Sequence, residues 1–314
     1  MPNAMPNPEK DQALLNAAEA GNPALVGRLL AEGLASPMAA AADNSGQTAL
    51  EKAIWGGHAQ CAELLLPVSF IDHVDGHGNT ALIAACAMAR EDLVSAVLRH
   101  NANPNLAAAS NGVSPLVVCA SAGSAPCAQA LLDAGADARI ATPKGCTPLM
   151  AAAYCKSIDC LRIFLPLSDA LAVDSQGLNA LMHIFQTDKP SERPEVSLDC
   201  VRLLAPFSNV AGFRSATTKR NALEDALAMG YGDCADFLAF LAPRVVVEEA
   251  VLPYLMMGAS RQFLLPSWFA SVEAETLMAE VLGAASGGRN SARGTEDSRT
   301  PTPGASERKP PFRL

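Results

Sequence analysis

Lys144-Gly145-Cys146-Thr147-Pro148-Leu149-Met150-Ala151-Ala152-Ala153 decides how the rest of the chain is read. A glycine turn leads into Thr-Pro-Leu and then into small residues. Thr147 suits a helix N-cap, because its hydroxyl can accept from an orphan N–H of the first turn. Pro148 then takes the first helical position, where its missing N–H costs nothing. Leu149 supplies a core anchor, and Ala151 to Ala153 let another helix approach closely. The same grammar recurs as Gly46-Gln47-Thr48-Ala49-Leu50, Gly78-Asn79-Thr80-Ala81-Leu82, Gly112-Val113-Ser114-Pro115-Leu116 and Gly177-Leu178-Asn179-Ala180-Leu181. The five glycines lie 32, 34, 33 and 32 residues apart. Self-similarity at that period predicts an all-α solenoid of stacked helix-turn-helix units joined by turn loops.

Outside the repeat, composition narrows the class. Half of the residues are hydrophobic but only 5% are aromatic, so the core is built from Ala, Leu, Val and Met. The chain carries a net charge of −9, and without the more basic stretch 284–314 it carries −12. Such a surface repels phosphate backbones and argues against nucleic acid; basic or neutral protein surfaces suit it better. No run of about 18 apolar residues marks a membrane span. The N-terminus lacks a basic-then-apolar leader, so the expected compartment is the cytoplasm.

Residues 1–10, rich in Pro and Asn, are expected to be disordered. Asp11 to Ala20 read as a helix that buries Leu14, Leu15, Ala17 and Ala18, and Leu25, Val26, Leu29 and Leu30 mark a second. This pair lacks the Thr-Pro-Leu start and reads as an N-terminal capping unit. The units lie near 11–42, 43–74, 75–108, 109–141, 142–173, 174–216 and 217–242. In the sixth, Asn179 to Cys200 spans 21 residues where Thr147 to Cys160 spans 13. The excess is read as a polar loop over Gln186–Ser197. Residues 243–283 stay apolar and predict a helical C-terminal cap, with helices over Val245–Met257 and Trp268–Leu282. A disordered tail is expected over 284–314.

Taken together, residues 11–242 resemble the ankyrin repeat family. Its Gly-x-Thr-Pro-Leu-His-x-Ala-Ala start is matched by Gly145 to Ala153, its Gly-Ala-Asp ending by Gly135-Ala136-Asp137, and its Gly-His turn by Gly57-His58. The family's His after Leu is missing, replaced by Glu51, Ile83, Val117, Met150 and Met182. Its hydrogen bonding must therefore be replaced or absent.

Nine cysteines invite a metal or disulfide reading, which aligning the units removes. Cys61, Cys127, Cys160, Cys200 and Cys234 share one position on the second helix, where a small hydrophobe belongs. No Cys-x-x-Cys occurs, and equivalent positions lie about 10 Å apart, too far for a disulfide. Neither a nucleophile elbow, a phosphate-cradling loop nor a zinc-binding His-Glu-x-x-His is present. The expectation is no metal, no cofactor and no catalysis.

What the resemblance implies is binding of a protein partner through a concave face. The family's variable contact positions flank the turn glycine and close the first helix. Here they hold Asn44, Ser45, Gln47 and Trp55, then His77, Asn79 and Met88, then Ser110, Asn111, Val113 and Ser121. Lys144, Cys146, Tyr154 and Cys155 follow, with Ser175, Gln176, Leu178 and Gln186 last. Trp55 and Tyr154 occupy the same repeat position and are the expected anchors; packing of Trp55 on Met88 is the competing reading. The protein is expected to be a monomer, without nucleic acid or membrane as a partner. A bacterial effector acting on a host protein, or a regulatory subunit covering an enzyme's site, are the alternatives.

Overall fold

Each 32-to-34-residue period becomes a pair of antiparallel helices in the structure. The computed structural model describes residues 8–32, 45–186, 194–210 and 214–242, which lie in one compact unit. The first helices of the pairs are α1 (Pro8–Glu19), α3 (Ala49–Trp55), α5 (Ala81–Ala87), α7 (Pro115–Ala122), α9 (Pro148–Tyr154), α11 (Ala180–His183) and α13 (Ala222–Ala228). The second helices are α2 (Pro23–Ala31), α4 (Ala59–Leu65), α6 (Glu91–Arg99), α8 (Ala125–Asp133), α10 (Ile158–Phe164), α12 (Pro194–Leu204) and α14 (Gly232–Leu241). Each first helix packs on the first helices before and after it, and each second helix does the same, giving two helical layers.

The starts of the first helices follow one chemical rule. Thr48, Thr80, Ser114, Thr147, Asn179 and Asn221 each accept the backbone N–H three residues on. These caps satisfy one orphan donor per helix, an effect of about 1 kcal/mol each. Pro115 and Pro148 occupy the first helical turn, as the Thr-Pro-Leu pattern predicts.

Ahead of each cap the chain folds into a tight finger. In the third pair Asp75 N–H donates to the Asn79 carbonyl, and Thr142 to Cys146 and Asp174 to Leu178 repeat this closure. Successive fingers are also bonded to each other: Gly76 N–H to Ser45 O at 2.7 Å, Ala109 to Gly78 at 2.7 Å, Ser175 to Lys144 at 2.8 Å and Ala216 to Gln176 at 2.8 Å. Pro143 stands where the next donor would be and has no N–H, so the fourth and fifth fingers lack this bond. At Gly78 φ is +83°, and a Cβ would come within 2.5 Å of the Ser110 backbone nitrogen. The turn glycine is therefore required twice, by its own left-handed backbone and by the next finger.

Between the layers lies one continuous apolar core. Leu14, Leu15, Ala17 and Ala18 are buried, as expected for the first helix. Cys61, Cys127, Cys160, Cys200 and Cys234 are all buried in this core, and the nine cysteines are free thiols. Burial and neighbouring thiols hold several of these thiols well above the ordinary range, so they sit there as small hydrophobes. Ile83, Val117, Met150 and Met182, at the family's histidine position, are buried as well; packing replaces its hydrogen bond. Glu51 keeps a polar version. Its carboxylate accepts from Thr48 N–H at 2.7 Å and meets His73 Nδ1 at 2.9 Å.

Two sequence expectations are corrected. α1 begins at Pro8, inside the stretch expected to be disordered, because proline is well suited to a first helical turn. The polar loop expected to reach Ser197 gives way to α12 at Pro194 for the same reason, and Ser197 is buried. α11 is only four residues long, ending at His183, short of the loop expected from Gln186. Residues 1–7, 33–44, 187–193 and 211–213 lie outside the described residues, as do the cap expected over 243–283 and the tail expected over 284–314.

Candidate partner-binding face

The last residues of α1, α3, α5, α7 and α9 meet solvent, whereas the end of α11 is largely buried. Trp55 and Tyr154 end α3 and α9 at equivalent positions. They are 37% and 48% exposed, and Met88, which closes α5, is 41% exposed. Because Trp55 and Met88 both keep over a third of their surface in water, packing between them leaves each open to a partner. Ala87 and Ser121 fill the equivalent positions between the two rings and are exposed too. The result is a row about 30 Å long, with rings at either end and small side chains between, at about 10 Å per repeat.

Beside this row stand the fingertips. His77, Ser110, Asn111, Lys144, Ser175 and Gln176 are exposed there, while Ser45, Gln47, Asn79 and Val113 are half-buried. Gln47 spends its amide on Asp75 Oδ2 at 3.4 Å. Asn111 holds its own finger through Val113 N–H at 3.0 Å. Ser121 and Cys155 are exposed and Cys146 is half-buried. Asn44 lies outside the described residues. Leu178 is a correction: it is 2% exposed and belongs to the core, although it follows a turn glycine. In that finger Leu178 N–H is bound to Asp174 Oδ1 at 2.9 Å, and the side chain joins the core, against which Val113 and Cys146 at the same position are only partly buried.

Carboxylates on this face are already engaged. Asp75 Oδ1 accepts His77 N–H at 2.9 Å and Asn79 N–H at 2.8 Å. Asp174 Oδ1 accepts Gln176 and Leu178 N–H, while Oδ2 meets His183 Nε2 at 3.1 Å. Burial pulls the His183 imidazole below its usual range despite that neighbour. Glu51 is buried in its capping box, and burial lifts its carboxyl above the usual range. Glu224 receives Arg214 and Asn221 N–H. Among the described residues, Glu63, Glu91, Asp133, Asp159 and Asp233 of the second helices and Asp137 of the loop after α8 lie exposed, away from this face.

Sequence reasoning missed a second group of exposed apolar residues. Leu66–Val68, Leu165–Leu167 and Ala205–Phe207 form single 3-10 turns after α4, α10 and α12. Val68, Leu167 and Phe207 take one position in them and are all exposed. The repeated Leu-Pro or Ala-Pro is the available signal, but a proline after a helix is equally compatible with a plain stop. A groove of about 520 Å³ lies beside one of these turns, between α8 and α10, lined by Leu132, Ile163, Pro166 and Leu167 among others.

Among the described residues no three His, Cys, Asp or Glu side chains come together as a metal site. None of their helices is long and apolar enough to cross a membrane.

With this geometry in place, comparison with known proteins decides the family. The family described as ankyrin repeats in three copies matches residues 2–75, 68–142 and 119–190, more than half of the chain. The chain belongs to the ankyrin repeat family. The crystal structure of the human ASB11 ankyrin repeat domain is similar in fold, with a TM-score of 0.57 at 23% identity. That match covers 76% of this chain and 96% of the human domain. Ankyrin repeats are in general protein–protein interaction modules, so the exposed row and fingertips are the surfaces to weigh first.

Proposed function

We propose that this ankyrin repeat protein is a non-catalytic interaction module that binds a protein partner through the first-helix row and the fingertips. The observation that carries the reading is the exposure of Trp55, Met88 and Tyr154 on one face. Aromatic anchors that become buried on association commonly dominate interface energy, at about 2 kcal/mol or more each. A rigid stack presents them with little ordering cost. In this reading the protein is a cytoplasmic monomer that needs neither cofactor nor metal.

The test is affinity capture from native lysate with wild type and Trp55→Ala/Tyr154→Ala, after circular dichroism shows equal helicity. A protein enriched by wild type and lost from the double variant is the expected result. Equal capture by both variants would move the interface off this face.

A further inference from the structure

Net charge points to a basic partner, but the charge is not on the face proposed to bind. Among the described residues, the fingers and first helices from Ser45 through α13 contain five carboxylates: Glu51, Asp75, Asp174, Glu224 and Asp225. Glu51, Asp75 and Asp174 are bound to backbone N–H groups or histidines of their own repeats, Glu224 to Arg214 and Asn221 N–H, and Asp225 is buried. Each is spent in a cap, a finger closure or the core, so none is left to meet a partner. Lys52, the cation of α3, is in turn neutralised by Glu19 at 3.2 Å.

Three cations on this face are left over. Lys144 is exposed at the fifth fingertip, and Lys219 and Arg220 are exposed at the seventh. None of them is in an ion pair with a described residue, whereas Arg214 beside them is held by Glu224 at 3.1 Å. Toward the N-terminal end the described fingertips carry polar side chains without lysine or arginine: Ser45, Gln47, His77, Asn79, Ser110 and Asn111. The face therefore grades from neutral and aromatic near Trp55 to positive near Lys219, on a protein whose net charge is −9.

Resting on the interaction reading above, we infer that the partner presents an extended segment with an uncharged, apolar portion for the Trp55–Tyr154 row and carboxylates for Lys144, Lys219 and Arg220. Charge complementarity selects this occupant. A basic segment would face unpaired lysines here and find no available carboxylate, and like charge brought into contact costs affinity and slows encounter. From Trp55 to Lys219 is five repeats, about 50 Å at the spacing of packed helices, which an extended segment of roughly 15 residues spans.

The probe is a displayed library of random peptides of roughly that length, selected on the full chain. Selection is repeated on Trp55→Ala/Tyr154→Ala and on Lys144→Glu/Lys219→Glu, two positions with exposed side chains, after circular dichroism shows equal helicity. Wild type is expected to enrich peptides of negative net charge. Their affinity should fall about tenfold in the lysine variant at 0.1 M salt and differ little at 1 M, because the screening length shrinks from about 10 Å to about 3 Å. Enrichment of basic peptides that are lost from the aromatic variant would overturn the charge assignment and leave the binding face standing. Peptides retained by both variants, or no enrichment at all, would overturn both.

Discussion

At the residue scale, one position between the two helices of each pair needs a left-handed backbone. Gly21, Gly57, Gly123 and Gly230 fill it with φ between +65° and +79°, but Ala89 and Lys156 fill it at +52° and +56°. An L-residue there costs about 1–2 kcal/mol, partly offset by the smaller entropy it loses on folding. Ala89→Gly should therefore raise the urea midpoint, by about 0.5–1 kcal/mol of stability. Lys156→Gly should gain less or lose, since Lys156 Nζ donates to Tyr231 Oη at 2.9 Å. Asp225 gives a second prediction. It is 3% exposed with Oδ2 unpartnered, and burial, opposed by Arg220, pushes its carboxyl from 3.8 up to about 6. The folded state thus holds its proton longer than the unfolded chain. Its contribution to stability is full below pH 3.8 and is lost as pH rises through about 6. Asp225→Asn removes that loss: relative to wild type it should gain up to about 3 kcal/mol between pH 4 and pH 7.5, read from urea titrations at both values. A constant difference between the two proteins would show that Asp225 is not the group responsible.

At the element scale the finger is the unit that sets repeat spacing. Gly78 and Gly135 both have positive φ, +83° and +89°, but differ in their surroundings. A Cβ on Gly135 meets nothing within 4 Å, whereas on Gly78 it lies 2.5 Å from Ser110 N. Gly135→Ala should cost only the backbone term of about 1–2 kcal/mol. Gly78→Ala must also push the next finger away, straining the 2.7 Å Ala109–Gly78 bond, and should cost clearly more. Chemical denaturation of the two variants checks the ordering, and equal losses would mean that the fingers adjust freely. The same element shows how far the sequence could be read. Caps, turn glycines and the first-helix starts from α3 onward were legible because each depends on residues within a few positions of one another. The 3-10 turns at Leu66–Val68 and Leu165–Leu167 were not, because a proline after a helix is equally compatible with a plain stop.

At the scale of the whole molecule, a stack in which each repeat touches only its neighbours is stable as a sum of units and junctions. The sixth pair is the weakest link, since α11 has four residues where α9 has seven. Across it Lys156 reaches Tyr231, two repeats away, and Phe185 packs edge-on against the Tyr231 ring at 5.4 Å. Tyr231→Phe removes the hydroxyl and keeps the ring, so it should cost about 1 kcal/mol. Hydrogen exchange should show the loss in α13 and α14, with α1 to α6 unchanged. A uniform rise in exchange along the stack would mean that it opens as one cooperative unit.

The sequence by itself determined the fold, the caps, the structural role of the cysteines and most of the positions that prove to be exposed. All of these follow from local rules repeated in phase, so seven noisy copies reinforce one another. It could not determine which of those positions are spent inside the protein. Leu178 turns into the core, Gln47 bonds to Asp75, and Asp75 and Asp174 close their own fingers. Net charge is a sum over the whole chain, but a partner meets only the charges left unpaired on one face. Which face keeps them is a matter of hydrogen bonds between residues of different fingers and helices, and that the tertiary structure alone decided.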